Sequence, residues 1–144
     1  VLRPDNEEMI IELNNRLGRN EFMPFAPSIP ENLANKSLLN YSSKDISADF
    51  MTMTYYATEW FRESCGAVVH VDNTIRPQIV KESQNPFFYK ILNKWFEKYN
   101  IPCLINTSFN LHEEPIVCSE EDIICSFKKN AVDFITNGKI LIHK

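Results

Sequence analysis

Three polar clusters in this sequence carry side chains that bind anions or move protons, and each is expected at the end of an apolar strand, where ligands of open α/β sheets usually bind. The first is Arg16 and Arg19, just ahead of a proline-rich stretch. A guanidinium presents a planar fork of donors that matches phosphate oxygens, although two charges at a helix end are also ordinary solvated groups. The second is His70-Val71-Asp72-Asn73-Thr74-Ile75-Arg76. On a strand, His70 and Asp72 share a face, so they could hold a metal, orient each other or hydrogen-bond a ligand. Asn73 tolerates a positive φ and suits a turn, and Arg76 follows at a reach that fits a phosphate or carboxylate. A His-x-Asp pair alone does not specify a metal site, and none is assigned. The third is Asn106-Thr107-Ser108-Phe109-Asn110, with four short hydrogen-bonding side chains in five residues. These let backbone and hydroxyl groups approach a phosphate closely, or they form a turn that satisfies its own backbone. Ser108 with His70 and Asp72 has the composition of a hydrolase triad, but no Gly-x-Ser-x-Gly elbow surrounds Ser108.

The elements that must position these clusters follow from periodicity. Met9, Ile10, Leu13 and Leu17 recur at helical spacing over 5–17, with Asp5 as N-cap, Glu8 closing a capping box and Gly18 as a stop. Pro24 and Pro27 make 22–29 an extended segment at a pocket or sheet edge, since proline is unsuited to a central strand. Pro30 can open a short helix to Leu38, and 40–49 reads as the most mobile loop. Met51, Met53 and Tyr55 alternate with threonines, which predicts a strand. A helical turn follows at Glu59–Ser64, ended by Gly66. A buried strand is expected over 67–71, a turn at 72–74 and extended chain at 78–80. Pro86–Tyr99 is the strongest helix, capped by Asn85, and Phe87, Phe88, Ile91, Leu92, Trp95 and Phe96 build one wide apolar face for core packing. A strand at 103–106 leads into the third cluster, and Ile116 and Val117 are extended. Ser119 with Asp122 caps a helix to Lys129, and Asn137-Gly138 joins strands at 132–135 and 139–142. Strand 67–71, helix 86–99 and strand 103–106 read as a crossover. The expected class is α/β (α+β), a twisted mixed parallel and antiparallel sheet with packed helices.

A chain of 144 residues, 44% hydrophobic and 24% charged, fits one compact domain over 1–144. The net charge of −4 gives no global field for nucleic acid or anionic membranes, so neither is an expected partner. The four cysteines, Cys65, Cys103, Cys118 and Cys125, form no Cys-x-x-Cys pair and sit in or beside apolar runs. They read as buried free thiols of a reducing cytoplasm rather than disulfides or a zinc site. No apolar run approaches the roughly 20 residues of a membrane span, and no signal peptide is evident. The first residue, Val1, is not Met, so the chain is expected to start inside something longer.

With the clusters in order along one chain, three blocks carry a resemblance. Arg19-Asn20-Glu21-Phe22-Met23-Pro24-Phe25-Ala26-Pro27-Ser28, His70-Val71-Asp72-Asn73-Thr74-Ile75-Arg76-Pro77-Gln78, and Asn106-Thr107-Ser108-Phe109-Asn110 followed by Glu114-Pro115-Ile116-Val117 are similar to the carboxyl-terminal domain of the O-carbamoyltransferases, the nodulation-factor and antibiotic-tailoring enzymes. The likeness covers nearly the whole chain. It implies a YrdC-like fold that uses ATP with Mg2+ and carbamoyl phosphate to make carbamoyl-adenylate and pyrophosphate. It also implies a partner, an amino-terminal actin-like domain of the same enzyme, where a small-molecule hydroxyl accepts the carbamoyl group.

YrdC-like domains place a Lys-x-Arg pair and a Ser-x-Asn pair around the nucleotide. Arg19 matches the Arg, and Ser108 and Asn110 match the Ser-x-Asn. The Lys position falls on Leu17, so that contact is missing or supplied by Arg16. An Arg frequent before Pro-Phe-Ala-Pro is Met23 here, and a glycine common before Glu-Pro-Ile-Val is Glu113. A Gly- and Arg-rich block usual upstream of Val1 is absent, so the isolated chain is expected to bind weakly and turn over poorly.

Residues and resemblance converge on phosphate handling, where catalysis is largely positioning and electrostatics. Arg19 and Arg76 would neutralise phosphate oxygens, and Ser108 and Asn110 would position them. Arg16, His70, Asp72, Asn106 and Thr107 would shape the pocket or bind the carbamoyl group. The alternatives are a degenerate nucleotide-binding or domain-interaction module, and an enzyme of the threonylcarbamoyl-adenylate type.

Overall fold

A computed structural model describes residues 1–17, 25–111 and 113–143. The chain divides into two compact units, one of Val1–Glu7 and Pro24–Thr107, the other of Glu8–Met23 and Ser108–Lys144.

The first unit is built on a three-stranded mixed sheet in the order β4-β1-β5, formed by β1 (Ala26–Pro30), β4 (Gln78–Val80) and β5 (Leu104–Asn106). β1 runs parallel to β4, with Ser28 opposite Gln78, and antiparallel to β5, with Ala26 opposite Asn106. The mixed sheet with packed helices is the expected class. The place of β1 is a correction: it is the central strand despite Pro27 and Pro30, and all five of its residues are buried. Pro27 faces Ile105, whose N–H and C=O both bond Leu2 on the far side, at 2.8 and 3.2 Å. The nitrogen of Pro27 therefore faces β4, whose pairing with β1 begins only at Ser28 opposite Gln78, so the β5 ladder asks no bond of it. Pro30 ends the strand and serves as N-cap of α2 (Glu31–Ser37).

Helix α4 (Pro86–Tyr99) begins where its sequence signals place it, with the Asn85 side chain accepting from Phe88 N–H. It stops at Asn100, whose φ of 53° is left-handed. Its inner edge is Leu92, packed with Val80 and Leu104 and flanked by Phe88, Tyr89 and Trp95. The wide apolar face is narrower than expected, because Phe87 and Ile91 face solvent. α4 joins β4 to β5, which run in opposite directions, so the expected crossover is absent.

A small antiparallel pair, β2 (Tyr55–Tyr56) and β3 (Thr74–Ile75), lies between α2 and the sheet strands in sequence. The expected strand from Met51 shrinks to β2, since Met51 itself has a φ of 58° that ends a 3-10 helix at Ile46–Phe50. That helix, capped by Asp45, also lies in what reads as the mobile loop, and it buries Asp49. α3 (Glu59–Ser64) forms as expected, capped by Thr58. The expected strand at 67–71 does not form. Gly66–Val68 is a 3-10 turn, and Val71 is fully exposed at the tip of a tight loop closed by His70 N–H to Thr74 O at 2.8 Å.

The second unit holds α1, α5 and a hairpin. α1 (Glu7–Leu17) starts two residues after Asp5, which is held instead by Arg3 at 2.7 and 3.0 Å rather than capping the helix. Gly18 lies outside the described residues. α5 (Glu120–Lys128) carries the expected Ser119–Asp122 capping box. β6 (Phe134–Thr136) and β7 (Leu141–His143) pair with Thr136 opposite Leu141, so a four-residue loop replaces the two-residue turn. Asn137 Oδ1 accepts from the Lys139 and Ile140 amides inside that loop. Ile116 is exposed and joins no strand.

The cysteines divide. Cys65 and Cys103 are buried with their sulfurs 3.5 Å apart, while Cys118 and Cys125 are exposed, against expectation.

Candidate functional site

Topology brings two of the three clusters to one end of the sheet. β1 and β4 are parallel and begin there, and antiparallel β5 ends there. The loop carrying His70 to Arg76 therefore enters the sheet at the end where Asn106 and Thr107 leave it. Side chains tie the three strands together. Gln78 Oε1 accepts from the Ser28 hydroxyl at 2.7 Å and from Asn106 Nδ2 at 2.8 Å. Ser28 is fully buried on the central strand, so this junction is anchored in the core. In the sequence Gln78 closes the His70–Gln78 block, and residue type alone gives it no role. Only the register of three strands shows it to be the hub.

The loop ahead of β4 is a self-supporting turn. Asn73 has the positive φ its type permits, 65°. Asp72 Oδ1 accepts from Thr74 N–H at 3.0 Å and from the Thr74 hydroxyl at 2.7 Å. A hydroxyl has one proton, and here Asp72 receives it. Thr74 Oγ1, 2.9 Å from His70 Nδ1, must then accept from an Nδ1–H. This leaves the lone pair of His70 on Nε2, which is buried and has no hydrogen-bond partner among the described residues. Burial lowers the pKa of His70, a shift that Asp72 opposes and Arg76 reinforces. The bonds from Thr74 hold the Asp72 carboxyl below its usual range. The site is thus a neutral imidazole oriented by an ionised carboxylate through one hydroxyl.

His70 and Asp72 do not share a strand face, as expected from spacing alone, and Thr74 is a link the sequence reading missed. Among the described residues no three His, Cys, Asp or Glu side chains gather as a metal site. Arg76 is exposed and makes no hydrogen bond or ion pair among the described residues.

The second unit holds Arg16, Ser108 and Asn110. Arg16 is engaged: its Nε bonds Glu12 at 3.1 Å and its Nη1 bonds both oxygens of Asp133 at 2.9 and 3.0 Å. Those carboxylates raise its pKa and neutralise the fork that would meet a phosphate. Ser108 is exposed. Asn110 Nδ2 donates to Leu111 O at 3.0 Å and Glu114 O at 2.9 Å, which is the self-satisfied turn weighed above. Its Oδ1 is buried without a partner among the described residues. In this arrangement Asn110 offers an acceptor, not the donors a phosphate needs. Leu17, at the expected Lys position, is a buried end of α1. Arg19 and Met23 lie outside the described residues.

Among the described residues no helix is long and apolar enough to cross a membrane. The chain is 42% identical over 97% of its length to an uncharacterized protein of Methanocaldococcus jannaschii, covering 26% of that protein. It is 36% identical over 88% of its length to the nodulation protein NolNO of Sinorhizobium fredii, covering 18% of it. A third relative, the 3'-hydroxymethylcephem-O-carbamoyltransferase of Amycolatopsis lactamdurans, is 35% identical over 54% of the chain and 15% of the relative. The chain therefore spans about a quarter or less of these proteins. A family model described as the carbamoyltransferase C-terminus matches residues 1–144, and the chain belongs to that family.

Proposed function

We propose that this chain is the domain of an O-carbamoyltransferase that binds ATP with Mg2+ and carbamoyl phosphate and forms carbamoyl-adenylate. The carbamoyl group would then pass to the hydroxyl of a small acceptor held by an amino-terminal partner domain. Family membership and the name of the cephem relative support transfer to a hydroxyl. The observation that carries the reading is the convergence at one sheet end of Asn106, Thr107 and the loop bearing His70 and Arg76, the latter unpaired among the described residues.

The chemistry is adenylyl transfer. Carbamate, freed from carbamoyl phosphate by loss of phosphate to water, bonds through oxygen to the α-phosphorus as the α–β anhydride breaks and pyrophosphate leaves. Negative charge on phosphoryl oxygens is what a catalyst must stabilise. Arg76 supplies a guanidinium for it, and Arg19 and Ser108 stay candidates from the resemblance alone. His70 Nε2, an acceptor, suits the N–H of a carbamoyl amide and not a phosphate oxygen. Arg16 and Asn110 serve only if ligand binding releases them from their present partners.

Carbamoyl-phosphate-dependent pyrophosphate release from ATP, measured in the intact protein, tests this. Arg76→Ala is expected to reduce it by about a hundredfold, as for loss of one charge-stabilising group. Nucleotide binding with no such release would favour a second reading, a domain that holds nucleotide or a partner domain without chemistry. The engaged state of Arg16 and Asn110 and the apolar Leu17 are the observations on its side.

A further inference from the structure

Gln78 has the geometry of a fixed donor. Its Oε1 receives two hydrogen bonds, from Ser28 Oγ–H and Asn106 Nδ2–H. Both lone pairs of that oxygen are therefore used, and it has none left for a cation. Turning the amide over would set Nε2 against the amino group of Asn106, donor facing donor. With Asn106 oriented as it is in the structure, its amino group sets Oε1 of Gln78 inward, and Ser28, fully buried in the central strand, donates the second bond. The Nε2 amino group has no hydrogen-bond partner among the described residues, and Gln78 is only half-buried. It stands two residues after Arg76, at the sheet end where the loop enters.

We infer that Gln78 is a ligand-binding residue whose amide N–H groups donate to an oxyanion oxygen of the substrate, phosphoryl or carbamoyl-phosphate, with Ser28 and Asn106 as its positioning residues. The inference rests on reading this sheet end as a phosphate-handling site. A preoriented neutral donor near an exposed cation divides the work: Arg76 supplies charge, and Gln78 supplies direction. Asn106 then acts through Gln78 with one of its N–H groups rather than reaching the ligand with it.

Gln78→Glu separates this role from simple bracing of the sheet. Glutamate keeps an oxygen for Ser28 and Asn106 but replaces the amino group with a negatively charged acceptor. The intact protein is titrated by calorimetry with ATP and Mg2+, with carbamoyl phosphate and with inorganic phosphate. Gln78→Glu is expected to keep the wild-type melting temperature and to lose at least about tenfold in affinity, the value of one charge-assisted hydrogen bond. The probe that suffers the loss identifies whether the oxygen belongs to the triphosphate or to carbamoyl phosphate. Equal affinities in the two proteins overturn the role of Gln78 and leave the proposed function standing. Failure of the wild type to bind any probe overturns both. Should the variant not fold, the side-chain NH2 resonances of Gln78 in the wild type decide: they shift on saturation with the bound probe, and unmoved resonances sink the inference.

Discussion

Glu113 lies in the loop that Asn110 closes, and its φ of 64° places an L-residue in the left-handed region. A side chain there crowds the following carbonyl, and glycine does not. Glu113→Gly is therefore expected to raise stability by about 0.5–1 kcal/mol, read from the urea midpoint. At His70 the sign of the pH effect is set by burial, which keeps its pKa below the ordinary value near 6.5. The folded state binds fewer protons at this site than the unfolded chain. Its contribution is complete above the unfolded value and is lost as pH falls through the lower folded value. Between about pH 7 and pH 5 the wild-type urea midpoint should fall more steeply than that of His70→Gln, and parallel profiles would contradict the assignment. Asn73 and the Ser119–Asp122 box were legible in the sequence because each acts on backbone within a few residues. Thr74 and Gln78 were not, since their roles depend on which donors and acceptors the fold sets opposite them.

Elements whose ends are set locally were read well. Asn85 with Pro86 starts α4, Thr58 starts α3, and Pro30 starts α2. Strands were read less well, because apolar runs such as Ala67 to Val71 suit a strand or a buried turn equally. The loop reading of 40–49 holds over 40–45 and gives way at 46–49 for a tertiary reason. Asp49, with a side chain 1% exposed, pairs with Lys81 at 2.7 Å across 32 residues, and this contact pins the segment beside β4. Asp49 raises the pKa of Lys81 in return. Lys81→Met leaves a buried carboxylate whose remaining bond is from Gln84 at 3.3 Å. It should cost about 3 kcal/mol in chemical unfolding, and replacing Asp49 by Leu in the same chain should recover most of it.

At the scale of the whole molecule, the sequence determined the class of the fold, most helix limits and the family. Those features follow from side-chain type, periodicity and short-range capping, which need no knowledge of distant neighbours. Only the tertiary structure decided that Pro27 belongs to a central strand, because the main chain of Ile105 turns toward Leu2. It also decided which candidates stand ready. Arg76 is uncommitted among the described residues, while Arg16 is neutralised by Glu12 and Asp133 and Asn110 is engaged by its own loop. Residue type fixes what a group can donate or accept. What it has left to offer a ligand depends on the partners that long-range packing has already supplied.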